Sequence, residues 1–287
     1  MPHSDGFACL LKDDVVLSLK TRLLLAAAFT GILCGSVLAQ APVKKRRPLP
    51  YEYGRVVLNN YSEKTSLGPV VFEHWSHRAR FTCRVCHVDV GFAMKANATG
   101  INAADNMRGY YCGSCHNGKT LFDGKTVFES CSRTMTDEDQ ARCERCHSYG
   151  KTDKSDAAFQ RFAQPLPKER FGNGIDWQQA EEVGLIHPAD FVKGISIKRK
   201  SLAIQQDFAL SPKLAAMPEI IFSHKKHTVW SGCEGCHPEI FVGVKRGETH
   251  YSMVGIFEGK YCGVCHNTVA FPLMDCQRCH SKPVQQP

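Results

Sequence analysis

Six segments of the chain combine two cysteines and a histidine at one spacing, C-x-x-C-H. They are Cys83, Cys86 and His87; Cys112, Cys115 and His116; Cys143, Cys146 and His147; Cys233, Cys236 and His237; Cys262, Cys265 and His266; and Cys276, Cys279 and His280. Cysteines three residues apart lie on one side of a helical turn, so both thiols can bond one flat prosthetic group. The next residue can then ligate a metal at its centre. This is the attachment pattern of c-type haem, and the sequence predicts six covalently bound haems.

Two other uses of paired cysteines explain the pattern less well. Zinc sites with four cysteines also contain CxxC pairs, but zinc gives no reason for a histidine after every pair. The chain has 13 histidines in 287 residues, so chance would place one after about one pair in twenty. A disulfide framework needs neither the histidine nor the uniform spacing. The motifs therefore favour haem over zinc and over disulfide bonds.

The amino terminus predicts export. Residues 23–38 form an apolar run that follows Lys20 and Arg22 and ends just before Ala39. Such a run is typical of a signal peptide, here cleaved after Ala39. Its sixteen residues are short for a membrane-spanning helix, although an uncleaved anchor is the alternative. We therefore expect a periplasmic or extracellular protein with no stable membrane span after cleavage.

One cysteine of the exported chain lies outside the motifs. Of the 15 cysteines, Cys9 and Cys34 would leave with the signal peptide, and twelve belong to the six motifs. Cys131 remains, in an insertion of the first half. An unpaired thiol in an oxidising compartment can form an intermolecular disulfide. The alternative is a thiol buried near the third haem.

The chain also contains an internal repeat. Residues 70–117 align with residues 220–267 without a gap, at an offset of 150, and a third CxxCH motif closes each half. Repetition of this kind indicates duplication, so we expect two units with three haems each. Because three haems in fewer than a hundred residues leave no room for a conventional core, the macrocycles must supply the apolar interior. Phe72, Trp75, Phe222 and Trp230 are predicted to pack on haem faces.

Each half has a second histidine pattern upstream of its first motif, F-x-H-x-x-H. The residues are Phe72, His74 and His77 in the first half, and Phe222, His224 and His227 in the second. Histidines three residues apart on a helix share a face and can serve irons on either side of it. The alternative is a pair of exposed polar residues. Six irons need sixth ligands, so ligation is the better interpretation.

The combined pattern resembles the trihaem c7 branch of the c3-type multihaem cytochromes. The resemblance covers residues 70–149 and 220–283 and rests on F-x-H-x-x-H followed by three CxxCH motifs. It implies two tandem trihaem c7-like units with short α-helices, a few short strands and mostly irregular chain. It also implies low-potential haems with two histidine ligands each. The implied pairs are His74 with His87, His77 with His116, His224 with His237, His227 with His266, and His250 with His280.

The first half departs from the family pattern at one position. Gly100 stands where the second half has His250, so the iron at His147 has no obvious partner. By count, His187 is the only remaining histidine of the exported chain, and we predict it as this sixth ligand. Ligation by Met94, Met107 or Met135, or by a histidine of another subunit, is the alternative.

The predicted organisation has five parts. They are a signal peptide (1–39), a basic amino-terminal arm (40–69), a trihaem unit (70–150), a linker (151–217) and a second trihaem unit (218–287). The linker is interpreted as a polar tether. Its longest structured stretch is predicted to be a short helix capped by Asp176.

The charge argues against one class of partner, and the haem motifs favour electron transfer between proteins. The formal charge is +8, and the propionates of six haems bring it to about −4, so we expect no nucleic-acid binding. The predicted function is electron transport among redox proteins, namely other cytochromes and quinol-linked or outer-membrane components. No residue is assigned a catalytic role, and we expect no enzyme activity. The alternatives are a multihaem reductase of a small oxyanion, which needs an iron with an open position, and a subunit of a conductive filament formed by self-assembly.

Overall fold

The computed structural model describes residues 46–64, 67–131, 141–148, 152–200, 203, 206–212, 217–242 and 248–282. The predicted signal peptide, the start of the basic arm and Met135 lie outside these residues. Within them, no helix has the length and apolarity needed to cross a membrane.

The first half contains short elements joined by irregular chain. Its strands are β1 (Arg55–Leu58), β2 (Val70–Glu73), β3 (Leu121–Phe122) and β4 (Lys125–Thr126). Its α-helices are α1 (His74–Arg78) and α2 (Ala103–Met107), with a π-helical turn at Val85–Val90. Short 3-10 helices occupy Pro50–Glu52, Ser62–Lys64 and Tyr111–Ser114.

The linker and the second half also consist of short elements joined by irregular chain. Helices α3 (Thr152–Ala163) and α4 (Trp177–Glu182) lie in the linker. The second half contains β5 (Phe208–Leu210), β6 (Glu219–Phe222), α5 (His224–Ser231), α6 (Met253–Phe257), a 3-10 helix (Tyr261–Val264), α7 (Cys276–Cys279) and β7 (His280–Lys282). The predicted fold class, short helices and few strands in mostly irregular chain, is confirmed.

The internal repeat is visible in these elements. Helices α1 and α5 begin at His74 and His224, and α2 and α6 begin at Ala103 and Met253, each pair 150 residues apart. In both halves an antiparallel strand joins the strand that leads into the histidine pair. Strand β1 pairs with β2, and β5 pairs with β6. Because β1 comes from the predicted arm and β5 from the predicted linker, both segments take part in the folded units.

The third motif of each unit returns to the strand that begins the unit. In the first unit the backbone N–H of Val71 in β2 donates to the Cys146 carbonyl at 2.8 Å. In the second, β7 follows directly on the third motif and pairs with β6, with His280 opposite Ile220. The histidine pair and the last motif of a unit are thus tied to one short sheet.

The predicted polar tether is wrong for the middle of the linker. Its residues supply most of a buried apolar cluster, namely Tyr51, Phe159, Ala163, Leu166, Ile175, Trp177, Ala180 and Ile186. Helix α3, with twelve residues, is longer than the predicted helix α4. The capped start of α4 is confirmed, because the Asp176 side chain accepts a hydrogen bond from the Gln179 N–H at 3.1 Å.

Both tryptophans that the sequence assigned to haem faces contact the linker. The Trp75 ring lies 5.5 Å from the Phe159 ring and 5.0 Å from the Phe162 ring, centroid to centroid. Trp230 also packs against the buried cluster. Since Trp75 belongs to the first unit and Trp230 to the second, the linker holds both units against one apolar cluster.

Candidate haem-binding sites

The second motif of each unit folds around a glycine that no other residue can replace. A Cβ atom built on Gly113 or Gly263 would lie 1.9 Å from a backbone carbonyl oxygen of the helix before it, α2 or α6. The preceding tyrosines, Tyr111 and Tyr261, have left-handed backbone angles with φ of 49° and 54°. The two cysteines are therefore presented by a tight turn that is the same in both units.

Three pairs of histidine rings face each other at nearly one distance. The centroid separations are 6.4 Å for His74 and His87, 6.2 Å for His77 and His116, and 6.3 Å for His227 and His266. Two metal–nitrogen bonds of about 2 Å, together with the half-widths of two imidazoles, span about 6 Å. The spacing therefore suits one metal between each pair. In each half, helix α1 or α5 carries the upstream histidines and a CxxCH motif carries the partner.

Backbone carbonyls fix the orientation of most candidate ligands. The Nδ1 atoms lie 2.5–3.0 Å from a carbonyl oxygen in eight histidines, namely His74, His87, His147, His224, His227, His237, His266 and His280. A carbonyl can only accept, so Nδ1 carries the hydrogen and Nε2 keeps its lone pair. A metal-ligating histidine commonly has this arrangement, since the hydrogen bond orients the ring and sets its tautomer.

In two further ligand candidates, Nδ1 makes no hydrogen bond to a backbone carbonyl. The His77 Nδ1 lies 3.1 Å from the Ser76 hydroxyl, which itself donates to the Glu73 carbonyl at 2.9 Å. That hydroxyl has one hydrogen to give, so His77 donates from Nδ1 and again leaves Nε2 free. The His116 Nδ1 is buried near the Phe128 carbonyl, but the contact falls outside hydrogen-bond geometry.

Burial keeps the paired imidazoles neutral. Desolvation lowers the pKa of His74, His77 and His266 to about 4. The pKa values of His87, His116 and His227 are also lowered, mainly by burial. An imidazole binds a metal only when it is unprotonated, so these rings are in the required state at neutral pH.

The cysteines are not arranged as metal-binding thiolates. Burial raises the pKa of the Cys86, Cys112 and Cys265 thiols to about 12, which disfavours the anion that zinc requires. No cluster of three or more His, Cys, Asp or Glu side chains suited to an ion occurs in the described ranges. Neutral cysteines beside paired imidazoles fit thioether-bound haem instead. The 13 cysteines that the structure describes are all free of disulfides, including the partly buried Cys131.

The remaining predicted pairs are not brought together as facing rings in the described residues. They are His224 with His237, His250 with His280, and His147 with His187. The His187 side chain is exposed and lies against Gly184, where a built Cβ atom would be 3.5 Å from its Cε1. His250 is exposed just before helix α6. These assignments remain predictions.

The structure also reveals a contact between the two units that sequence reasoning missed. Arg199 binds Asp89, next to the first motif, at 2.5 Å and Glu234, inside the fourth motif, at 2.6 Å. The Asp89 side chain is fully buried, with an exposed fraction of 0%. Beside this bridge, a Cβ atom on Gly232 would lie 2.7 Å from Arg84 Cδ. The first motifs of the two units therefore touch directly, a contact between residues about 150 positions apart that no local pattern indicates.

A comparison with models of protein families agrees with these observations. The model described as Cytochrome c7 and related cytochrome c matches residues 70–148 and 220–283. The chain belongs to this family. It is a multihaem c-type cytochrome, and its haems are covalently bound.

Solved multihaem cytochromes are similar to parts of the chain. A c7-type three-heme cytochrome domain is 31% identical, over 28% of this chain and 99% of that one, with a TM-score of 0.25. The C-terminal hexaheme fragment of GSU1996 is 23% identical over 82% of this chain and 99% of its own, with a TM-score of 0.24. Dodecaheme cytochrome c GSU1996 is 22% identical over 82% of this chain and 76% of its own, with a TM-score of 0.25. No curated protein matches the chain.

Proposed function

We propose that this cytochrome is an exported hexahaem carrier that passes electrons between other redox proteins. The observation that carries the proposal is the set of three facing imidazole pairs, 6.2–6.4 Å apart. An iron held between two such imidazoles would have no free position for a substrate. A site of this kind favours electron transfer over catalysis.

The chain's own residues hold and insulate the redox groups. The paired cysteines would hold each haem through two thioether bonds, and the following histidine would bind its iron. Haem supplies a conjugated ring and an iron that gains or loses one electron. Backbone carbonyls hold four of the six facing imidazoles, namely His74, His87, His227 and His266, which would limit rearrangement when an iron changes charge. His74 and His77 face different motif histidines from one short helix, which places two sites on either side of α1.

We also propose where the protein acts and which class of partner it contacts. The apolar run before Ala39 supports export, and covalent haem attachment is completed outside the cytoplasm. The expected partners are other cytochromes and quinol-linked or outer-membrane electron-transfer components. Contact with such partners needs no stable membrane span in the exported chain.

Haem content and axial ligation test this proposal. The alkaline pyridine assay on purified protein should give six haems per chain, and absorption spectra should show low-spin haem at the three paired sites. A result of four haems or fewer would contradict the hexahaem carrier. Carbon monoxide should leave the spectra of those three sites unchanged, because both axial positions are filled.

The reductase alternative depends on the third motif. His147 has its Nδ1 fixed by the Gly68 carbonyl at 2.5 Å, but no ring among the described residues faces its other side. An iron there with one open axial position could bind a small oxyanion. Carbon monoxide binding to one haem of the wild-type protein, together with turnover of nitrite or a sulfur oxyanion, would favour this function over the carrier.

A further inference from the structure

Arg78, the last residue of helix α1, connects three parts of the molecule. Its guanidinium lies 4.7 Å from the ring centroid of Trp177 in the linker and 5.2 Å from that of Trp230 in the second unit. Its Nη1 donates to the Val269 carbonyl of the second unit at 3.0 Å. One side chain of the first unit thus ends at the junction of both units and the linker.

This cation has no close countercharge. Arg78 makes no ion pair in the described part of the chain, and its Nε is shielded from solvent without a hydrogen-bond partner there. The Glu181 carboxylate of α4 attracts it, but from beyond ion-pair distance. Two aromatic faces partly replace the lost solvation. A guanidinium keeps its proton even when enclosed, so a positive charge persists in surroundings of low polarity.

The charge lies beside two haem attachment points that belong to different units. In the first unit, Arg78 lies one helical turn after His74, whose ring faces His87 of the first motif. In the second unit, Arg78 donates to the Val269 carbonyl, and the N–H of Val269 donates to the Cys265 carbonyl of the fifth motif at 3.0 Å. The haem held by Cys83 and the haem held by Cys265 must therefore both begin close to this guanidinium.

We propose that Arg78 is a positioning residue whose fixed positive charge raises the reduction potentials of the two haems attached through Cys83 and Cys265. An oxidised iron carries one more positive charge than a reduced iron, and a nearby fixed cation in a weakly polar medium disfavours that state. Each couple takes up one electron, with no bond made or broken and no proton required. Electrons entering either unit would then be held preferentially at the junction between them. This inference rests on the proposed function for the presence of both haems.

Spectroelectrochemical titration of the full holoprotein tests whether the charge of Arg78 raises these reduction potentials. Arg78→Gln should shift part of the titration curve to more negative potential, while Arg78→Lys, which keeps the charge, should stay close to the wild type. Glu181→Gln removes the opposing charge and should shift the same part of the curve to more positive potential. Arg161→Gln is the control, since Arg161 is an exposed arginine of helix α3.

Three results would overturn the proposal. They are an unchanged curve for Arg78→Gln, equal shifts for the Gln and Lys variants, and a Glu181→Gln shift of the wrong sign. If Arg78→Gln does not fold, Arg78→Met takes its place, because methionine fills similar space without a charge and adds no unpaired polar group. The pyridine assay on each variant separates this test from the proposed function. A wild-type protein with four haems or fewer contradicts that function, whereas an intact haem count with no shift in Arg78→Gln contradicts only the role of Arg78.

Discussion

A histidine that ligates a haem iron has to be neutral, oriented and able to present the correct nitrogen. His74 meets all three conditions, because burial lowers its pKa to about 4, the Gly54 carbonyl binds its Nδ1 at 2.6 Å and its ring faces His87. Each condition comes from the backbone around the residue. A hydrogen bond to a carbonyl from another segment cannot be inferred from the F-x-H-x-x-H pattern.

The facing ring pairs predict the effect of removing one ligand. His74→Ala should convert one haem to the high-spin state and allow it to bind carbon monoxide, because His87 would remain as the only axial ligand. The measurement is the reduced absorption spectrum with and without carbon monoxide. Arg80→Ala, an exposed change near the same helix, should leave the spectrum unaltered. A low-spin spectrum in His74→Ala would exclude His74 as a ligand.

His187 is the predicted ligand whose surroundings differ most from those of the others. Its side chain is exposed, and it lies against Gly184 at the end of α4. If it ligates the iron at His147, His187→Ala makes one haem high-spin and open to carbon monoxide. Identical low-spin spectra for wild type and variant would remove His187 from the ligand set. Carbon monoxide binding by the wild type itself would place an open site at His147.

At the scale of the elements, the repeated 3-10 turns explain how short segments present cysteines without much sheet or helix around them. Gly113→Ala and Gly263→Ala should each reduce the haem content by one, because a methyl group at either position meets a backbone oxygen 1.9 Å away. Haem per protein mass is the measurement. Ser114→Ala, one residue later in the same motif, should retain full haem content. Full content in the glycine variants would show that the turn can rearrange.

Sequence reasoning reached the local elements more easily than their contacts. The motifs and the Asp176 cap are set by residues within one or two turns, and the repeat by a gapless alignment at an offset of 150, so the linear sequence alone revealed them. The apolar cluster of the linker was missed because its members are scattered. In α3 the buried Phe159 and Ala163 lie near the helix end, after a polar start. The Arg199 bridge joins Asp89 and Glu234 from opposite halves, and only the folded chain reveals such a pair.

At the scale of the whole molecule, Tyr53 ties the amino-terminal segment to the second unit. Its hydroxyl donates to the Ala270 carbonyl at 2.6 Å, and burial raises its pKa to about 12. The folded protein therefore favours the neutral phenol, which ionises near pH 10 once the chain unfolds. Its contribution of roughly 2–3 kcal/mol is complete below pH 10 and is lost as the pH rises from 10 towards 12.

The alkaline loss of stability should depend on this one hydroxyl. The midpoint of guanidinium unfolding should fall more between pH 9 and pH 11.5 in the wild type than in Tyr53→Phe, which has no phenol to ionise. Tyr110→Phe is the control, because Tyr110 is 60% exposed. Equal losses in wild type and Tyr53→Phe would show that other groups set the alkaline limit.

The angles between the facing rings have a magnetic consequence. The imidazole planes of His74 and His87 are nearly parallel, at 6°, whereas the other two pairs are tilted by 58° and 59°. Parallel planes separate the energies of two iron d orbitals, and strongly tilted planes bring those energies together. The oxidised protein should therefore give two kinds of low-spin signal in electron paramagnetic resonance. The site of His74 and His87 should be rhombic, and the two tilted sites should be more anisotropic, with a larger maximum g value. His74→Ala should remove the contribution of this site to the rhombic signal and leave the signals of the two tilted sites unchanged, so the ring geometry at one short helix can be read in a frozen solution.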